Sequence, residues 1–513
     1  MTKQSFLKGT IILIVAGLIT RLLGFVNRII LVRLIEEEGI GLFNMVLPTL
    51  FLVYTVSQFG IPLAISKRVS EAHALNQTSL IKKTLYLALI ITIGFSLVTI
   101  VTLLFCAEFI ATVLLRDERS YLLIITMLPI IPITAVSAVL KGYFQGLQNM
   151  KPQAYAQVLE QVIRIGTVSF CVHLLLPYGI EFAAMGAILS TILGEISALL
   201  FLLTSLHKQQ KLDHHATTHK KFEHDSLTLI KKLFNVALPS TGSRFISSIS
   251  HFLEPILVTH SLKWAGISSV QAIKQYGILT GYALPLLLFP TFMTHALAMA
   301  LLPSISEAHA KQNIKAIHHR IEQSIRFTFG TSAYVAVLLF IFAEPLLNIM
   351  YQNTDATFFI KTMVPFSLFI YIQFPLNATL QALDYAHVAM YNTLIATCVK
   401  YVVLIILASQ PTMGIAGVSI AICLSATLTT VLHYASIKKL TQFKLKFSYI
   451  VKMILTVVFI FSLTSFLNQS LSLIVSPILS TIITVLFSSS VYLILLLSFR
   501  IMSFQELTML YRD

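Results

Sequence analysis

Stretches of about twenty apolar residues, parted by short polar connections, recur along nearly the whole chain. A helix of that length crosses the roughly 30 Å hydrocarbon core of a bilayer at about 1.5 Å per residue. The pattern predicts about fourteen membrane-spanning helices. They fall near residues 7–34, 41–66, 83–106, 121–145, 154–176, 182–206, 230–261, 271–300, 324–346, 358–382, 389–409, 413–436, 447–467 and 473–498. Several hold proline inside the apolar run (Pro48, Pro129, Pro132, Pro285, Pro290, Pro365, Pro375), which marks kinks in membrane helices. The longest polar interruption, 207–228, is rich in histidine, a composition that can bind metal, but reads as a solvated cytoplasmic linker. It divides a six-helix lobe, 1–206, from a second, 229–437, and residues 438–513 form an extra helix pair with a cytoplasmic tail. The expected fold class is an all-α polytopic membrane protein with two pseudo-symmetric lobes.

The lobes repeat one another. Ser70-Glu71-Ala72-His73-Ala74 returns as Ser306-Glu307-Ala308-His309-Ala310, a displacement of 236 residues (306 − 70). At the same displacement Gln145-Gly146-Leu147 meets Gln381-Ala382-Leu383, and Arg164 meets Lys400. Gly41 and Leu47-Pro48 match Gly277 and Leu284-Pro285 to within a residue. Six helices therefore recur in the same orientation, which predicts lobes related by an axis along the membrane normal. Repeats of this kind are typical of transporters, with the substrate site between them.

Charged positions inside the apolar runs carry the candidate chemistry. In the first helix Gly17, Arg21, Gly24 and Arg28 follow spacings of 4, 3 and 4 and share one face. A charge at the bilayer centre costs at least about 2.5 kcal/mol, so this face should meet protein or water. Its two glycines suit close approach of a neighbouring helix. In the seventh helix Ser240, Arg244, Ser247, His251 and Glu254 follow a similar rhythm, with Ser243-Arg244 aligned to Thr20-Arg21 and His251 answering Arg28. Two cationic faces, one per lobe, predict a cleft complementary to an anion, above all a phosphate that arginine grips with paired donors. The competing reading is that Glu254 simply neutralises Arg244. Glu160 and Arg164, one turn apart in the fifth helix, can pair within it. Glu195 in the sixth has no local partner, and Glu160, Glu195 and Glu254 are the candidates for proton or cation coupling. His295 and Lys400 are weaker candidates in apolar spans.

Composition agrees with the pattern. Of 513 residues 56% are hydrophobic and 11% charged, with a mean hydropathy of +0.84, far too few charges for a soluble surface. The formal charge of +15 points first to cytoplasmic loops rather than to a nucleic-acid partner. From a cytoplasmic N-terminus, the even-numbered connections collect Lys67, Arg68, Lys82 and Lys83, then Lys151, Lys208–Lys232, Lys311–Arg326 and Lys438–Lys446. The first odd-numbered one instead carries Glu36, Glu37 and Glu38, so both termini should be cytoplasmic. No cleavable signal peptide is evident, since the first apolar run continues to Arg28 without a small-residue cleavage site. Cys106, Cys171, Cys398 and Cys423 are isolated within apolar runs and show no metal-ligand spacing. No Gly-Lys dipeptide, Asp-x-Asp pair, His-Glu-x-x-His or Gly-x-Ser-x-Gly occurs, which argues against an ATPase, a metal-dependent glycosyl transferase and a hydrolase. The chain is expected to be neither an enzyme nor a holder of cofactor or metal. Its driving force would be an ion gradient or the membrane potential, worth about 2.3 kcal/mol per charge per 100 mV.

The residues Arg-Leu-Leu-Gly-Phe-Val-Asn-Arg (21–28), Glu-Glu-Gly-Ile-Gly-Leu-Phe (37–43) and Gln-Phe-Gly-Ile-Pro-Leu-Ala-Ile-Ser-Lys (58–67) resemble the stage V sporulation protein B group. So do Lys-Gly-Tyr-Phe-Gln-Gly-Leu-Gln-Asn-Met-Lys-Pro (141–152) and Glu160-Gln161. That group belongs to the polysaccharide-exporter branch of the multidrug/oligosaccharidyl-lipid/polysaccharide exporter superfamily. The resemblance covers nearly the whole chain. It implies two six-helix lobes plus a helix pair, alternating access, a cell-membrane location around the forespore and a role in spore cortex peptidoglycan synthesis. The chain is also similar, more distantly, to MurJ-type lipid II flippases, whose cavity arginine corresponds to Arg21. Their second arginine falls at Asn27, with Arg28 one place on and about 100° around the helix. A further arginine of their second helix has no counterpart near Tyr54.

The resemblance and the cationic faces together imply a flippase for an undecaprenyl-pyrophosphate-linked saccharide of the lipid II type. Arg21, Arg28, Arg244, Asn27 and His251 would bind the substrate. Gly17, Gly24, Arg164 and Lys400 would support the helix faces, and the last two helices would border a groove for the lipid tail. The bilayer and peptidoglycan-synthesis proteins are the expected partners. Two rivals stand beside this reading: a cation-coupled drug antiporter of the same superfamily, and a non-transporting scaffold for cortex synthesis.

Overall fold

The computed structural model describes residues 6–75, 77–214, 226–473, 476–499 and 501, and among them the regular structure is helical throughout. Residues 215–225, half of the expected polar linker, lie outside the described residues, as do 502–513; the rest of that linker, 207–214 and 226–228, is helical rather than loop. The chain divides into two compact units, 1–281 and 282–513.

The first unit opens with α1 (Phe6–Gln58), whose 53 residues would make a straight helix of about 80 Å. It is instead bent at Glu36, whose φ of 55° and ψ of −163° break the helical run, so two passes share one helix. The three glutamates at 36–38 are helix formers, and no proline or glycine lies between Gly24 and Gly39 to end the helix, so the expected loop is a kink. Then follow α2 (Ile61–Ala74), α3 (Thr78–Phe109), α4 (Arg119–Thr126), α5 (Ile130–Gly146), α6 (Lys151–Leu175), α7 (Ile180–His214), α8 (Ser226–Trp264) and α9 (Ser269–Gly277). Ile61, Ile65, Val69, Val139, Leu140 and Phe144 are fully or nearly fully buried where α2 meets α5.

The junction of α1 and α9 shows the repeat at atomic scale. Glu37 and Lys274 form an ion pair of 3.0 Å. One turn on, Gly41 and Gly277 abut: a Cβ at Gly41 would overlap the Ile273 carbonyl, and one at Gly277 the Glu37 carbonyl. A further turn on, Asn44 Nδ2 donates to Thr280 Oγ1 at 2.9 Å. Gly41 with Gly277 and Asn44 with Thr280 are both 236 residues apart (277 − 41, 280 − 44). Successive turns meet their own counterparts in the same order, so the two helices run parallel, as a repeat in one orientation requires.

The second unit comprises α10 (Leu284–Leu288), α11 (Thr291–Ala310), α12 (Ile314–Ile341), α13 (Ala343–Tyr351), α14 (Thr357–Ala382), α15 (Ala386–Ala408), α16 (Ile415–Thr441), α17 (Phe447–Ser472) and α18 (Pro477–Ser498). Leu301, Ile305, Ile321, Leu376, Leu380 and Ile437 form a core where α11, α12, α14 and α16 meet. The helix pair α17 and α18 docks on α12 through Phe329, Ala333, Val337, Ile460, Tyr492 and Leu496. Tyr334 Oη donates to the Val485 carbonyl, 2.8 Å, and lies 2.8 Å from Ser488 Oγ, while Tyr492 Oη donates to the Gly330 carbonyl, 3.1 Å. Phe459, Phe466, Leu486 and Ile494 stay exposed, as suits side chains facing lipid.

Among the described residues eleven helices are long and apolar enough to cross a membrane, or twelve with the bent pair Ser269–Leu288 and Thr291–Ala310. Val15–Ala74 counts there as one although it bends at Glu36. The 39-residue α8, which carries Arg244, His251 and Glu254, is not among them. The fourteen-pass expectation is compatible with this.

Candidate functional site

Close helix contact sets the first cavity. Gly186 and Gly194 of α7 lie so near the Cys171 and Glu160 carbonyls of α6 that a Cβ at either would fall within 2.6 to 2.8 Å of the oxygen. This draws Glu195 toward the Glu160–Arg164 pair, whose Oε1 and Nη2 are 2.5 Å apart. Against α1 these helices enclose about 340 Å³, lined by Gly24, Asn27, Arg28, Phe51, Tyr54, Arg164, Ser190, Thr191 and Glu195 among others. Glu195 Oε2, Asn27 Oδ1 and Arg164 Nε are buried and have no hydrogen-bond partner among the described residues. Buried polar atoms are seldom left so without a ligand or water to meet them.

Arg28 does two things at once. It lines this cavity, and its Nη2 donates to Asn44 Oδ1, 3.0 Å, and to the Thr280 carbonyl, 2.9 Å. Thr280 belongs to a π-helical turn, Ile278–Ala283, the kind of irregular turn often found at functional sites.

A second cavity of about 340 Å³ lies against α8 and shares Phe51 and Tyr54 with the first. Its wall is otherwise polar: Thr55, Gln58, Thr241, Arg244, Ser247 and Ser248, with Thr55 and Ser248 hydroxyls 2.6 Å apart. Arg244 is exposed to it and has no ion-pair partner among the described residues. An arginine among hydroxyls, beside an aromatic wall, can hold a phosphate group and a sugar face.

Of the residues singled out in the sequence, Gly24, Asn27, Arg28, Arg164 and Glu195 line the first cavity, with Glu160 joined through Arg164. Arg244 lines the neighbouring one. Arg21 is exposed and lines neither, and nothing lies within 4 Å of a Cβ built on Gly17. His251 is exposed and Glu254 half-buried, both outside the two cavities. Lys400, in the second unit, sits with its Nζ 4.7 Å from the Tyr401 ring centroid. Sequence reasoning missed Asn44, Thr280 and Phe51 and gave Tyr54 no role. The 4, 3 spacing of Glu37, Gly41 and Asn44, set against the repeat, was the available signal.

The model of the family described as "Polysaccharide biosynthesis protein" matches residues 6–309, and that of the MatE family residues 279–407. The chain is 43% identical over 509 residues to Stage V sporulation protein B of Bacillus subtilis (strain 168), covering 99% of this chain and 98% of that one. It is 24% identical over 339 residues to the lipid II flippase MurJ of the same organism, covering 63% and 62%. In fold it is similar to a multidrug resistance MATE family transporter of the MOP superfamily solved in an inward-facing conformation. The TM-score is 0.62 with 16% identity, over 82% of this chain and 94% of that one.

Proposed function

Because the chain belongs to the polysaccharide biosynthesis protein family, we propose that it is a membrane flippase of the MOP superfamily that translocates an undecaprenyl-pyrophosphate-linked saccharide. The lipid II-type precursor of spore cortex peptidoglycan is the substrate this reading favours, in keeping with the names of two relatives. The observation that carries it is the pair of cavities sharing Phe51 and Tyr54, one opening on Arg244 among hydroxyls, the other on Arg28. In this account Arg244 grips the pyrophosphate, and the aromatic wall takes the apolar face of a sugar. Arg28 and Asn27 extend the cationic lining, and Arg21, exposed on α1, meets the pyrophosphate from water. Movement is by alternating access. Glu195, beside Glu160 and Arg164, is the coupling group for a proton or cation.

Reconstituted protein should move fluorescent lipid II across proteoliposomes faster than it moves a polyprenyl phosphate lacking sugar. Equal rates, or none above protein-free vesicles, would contradict the reading. The antiporter rival predicts instead uptake of a cationic dye driven by a proton or sodium gradient.

A further inference from the structure

We propose that the second unit holds a binding site for an anionic phospholipid headgroup where α12, α17 and the end of α18 come together. Three cations gather there round one aromatic ring. The guanidinium carbon of Arg326 is 5.4 Å from the centroid of Tyr449, and the Nζ atoms of Lys446 and Lys452 are each 5.9 Å from it. Lys452 Nζ also donates to the Phe499 carbonyl just beyond α18, at 3.2 Å. Neither lysine forms an ion pair with a carboxylate among the described residues. The nearest acid along α12 is Glu322, one turn before Arg326. A single ring is a weak counterweight to the two lysine charges, since its quadrupole attracts a cation far less than an anion does.

The position of the cluster says what the anion is. Beyond Arg326, α12 carries no charged residue from Phe327 to Ile341. Beyond Lys452, α17 carries none from Met453 to Ser472, and α18 carries none from Pro477 to Ser498. The cations therefore mark the level at which three helices leave polar surroundings for hydrocarbon, and Tyr449 sits there as interfacial tyrosines do. Directly along α17 from the cluster, Ile454, Leu455 and Val458 are more than half exposed. Acyl chains would lie on that face with their phosphate at the cations. Basic pockets between membrane helices bind anionic headgroups in this way. A phosphodiester bearing two acyl chains fits both parts; a free phosphate fits only one.

The test is native mass spectrometry of the full chain, released from detergent with equal phosphatidylglycerol and phosphatidylcholine. The wild type should keep phosphatidylglycerol at least about fivefold over phosphatidylcholine, and R326Q/K446Q/K452Q should bring the ratio near one. Should the triple variant not fold, K446Q and Y449L, each on folded protein, should still lower the ratio at least twofold. An unchanged ratio in these variants, or no preference in the wild type, overturns the proposal. Stoichiometric undecaprenyl pyrophosphate should leave the adduct in place; displacement would reassign the cations to the transported lipid and overturn it too. Inorganic phosphate at the same concentration should not compete, and competition would equally contradict a lipid site.

Discussion

Arg28 and Arg244 are the same residue type in one unit, yet their surroundings differ. Arg28 is held by Asn44 and the Thr280 carbonyl, so its loss strands two acceptors at the α1–α9 junction. Arg28→Ala should lower both transport and stability, the latter by about 1–3 kcal/mol, read as a drop in thermal midpoint and membrane abundance. Arg244 is exposed to its cavity without an ion-pair partner among the described residues, so Arg244→Ala should leave abundance unchanged. A lost charge-assisted contact of about 1.5–3 kcal/mol corresponds to a fall of about ten- to a hundredfold in translocation. Arg244→Lys should recover only part, because an ammonium cannot make the paired contact. Full activity in well-expressed Arg244→Ala protein would remove it from the site. Glu36 poses a different residue-scale question: its φ of 55° with an extended ψ is a conformation only glycine adopts freely. Glu36→Gly should raise the thermal midpoint by the equivalent of about 1 kcal/mol, and a marked drop would show that the carboxylate matters more than the backbone.

At the scale of helices, the contact of α1 with α9 depends on Gly41 and Gly277. Gly277→Ala must push the helices apart, at a cost of about 1–3 kcal/mol for overpacking. A cysteine at Asn44 should then react faster with a water-soluble maleimide, and an unchanged rate would argue against so close a contact. The sequence already held both glycines as repeat counterparts, but a match between repeats does not say that its members touch. The first helix shows a similar limit. Gly17 to Arg28 do share a face by spacing, yet the first cavity encloses Gly24, Asn27 and Arg28 and excludes Gly17 and Arg21. Periodicity finds a face; which turns are enclosed depends on what the neighbouring helices set opposite them. The loop expected at 36–38 became a kink because helix-forming glutamates need not stop a helix when they bend it.

For the whole molecule, the all-helical class and the transporter fold were legible from apolar run length and the 236-residue displacement. The two cavities were not, since they depend on glycine-mediated contacts between α6 and α7 and on an aromatic pair with no charge to flag it. The charge asymmetry makes a topological prediction: cysteines at the exposed positions Glu36 and Lys438 should label from opposite sides, Glu36 outside and Lys438 inside. Labelling from one side would require an odd change in the number of passes between them. The central claim, that this chain moves an anionic lipid-linked sugar, is tested most directly by translocation in proteoliposomes. Fluorescent lipid II should become accessible to an external quencher with wild-type protein and lag at least about tenfold with Arg244→Ala, at matched protein incorporation. Identical kinetics for the wild type, the variant and empty vesicles would contradict it.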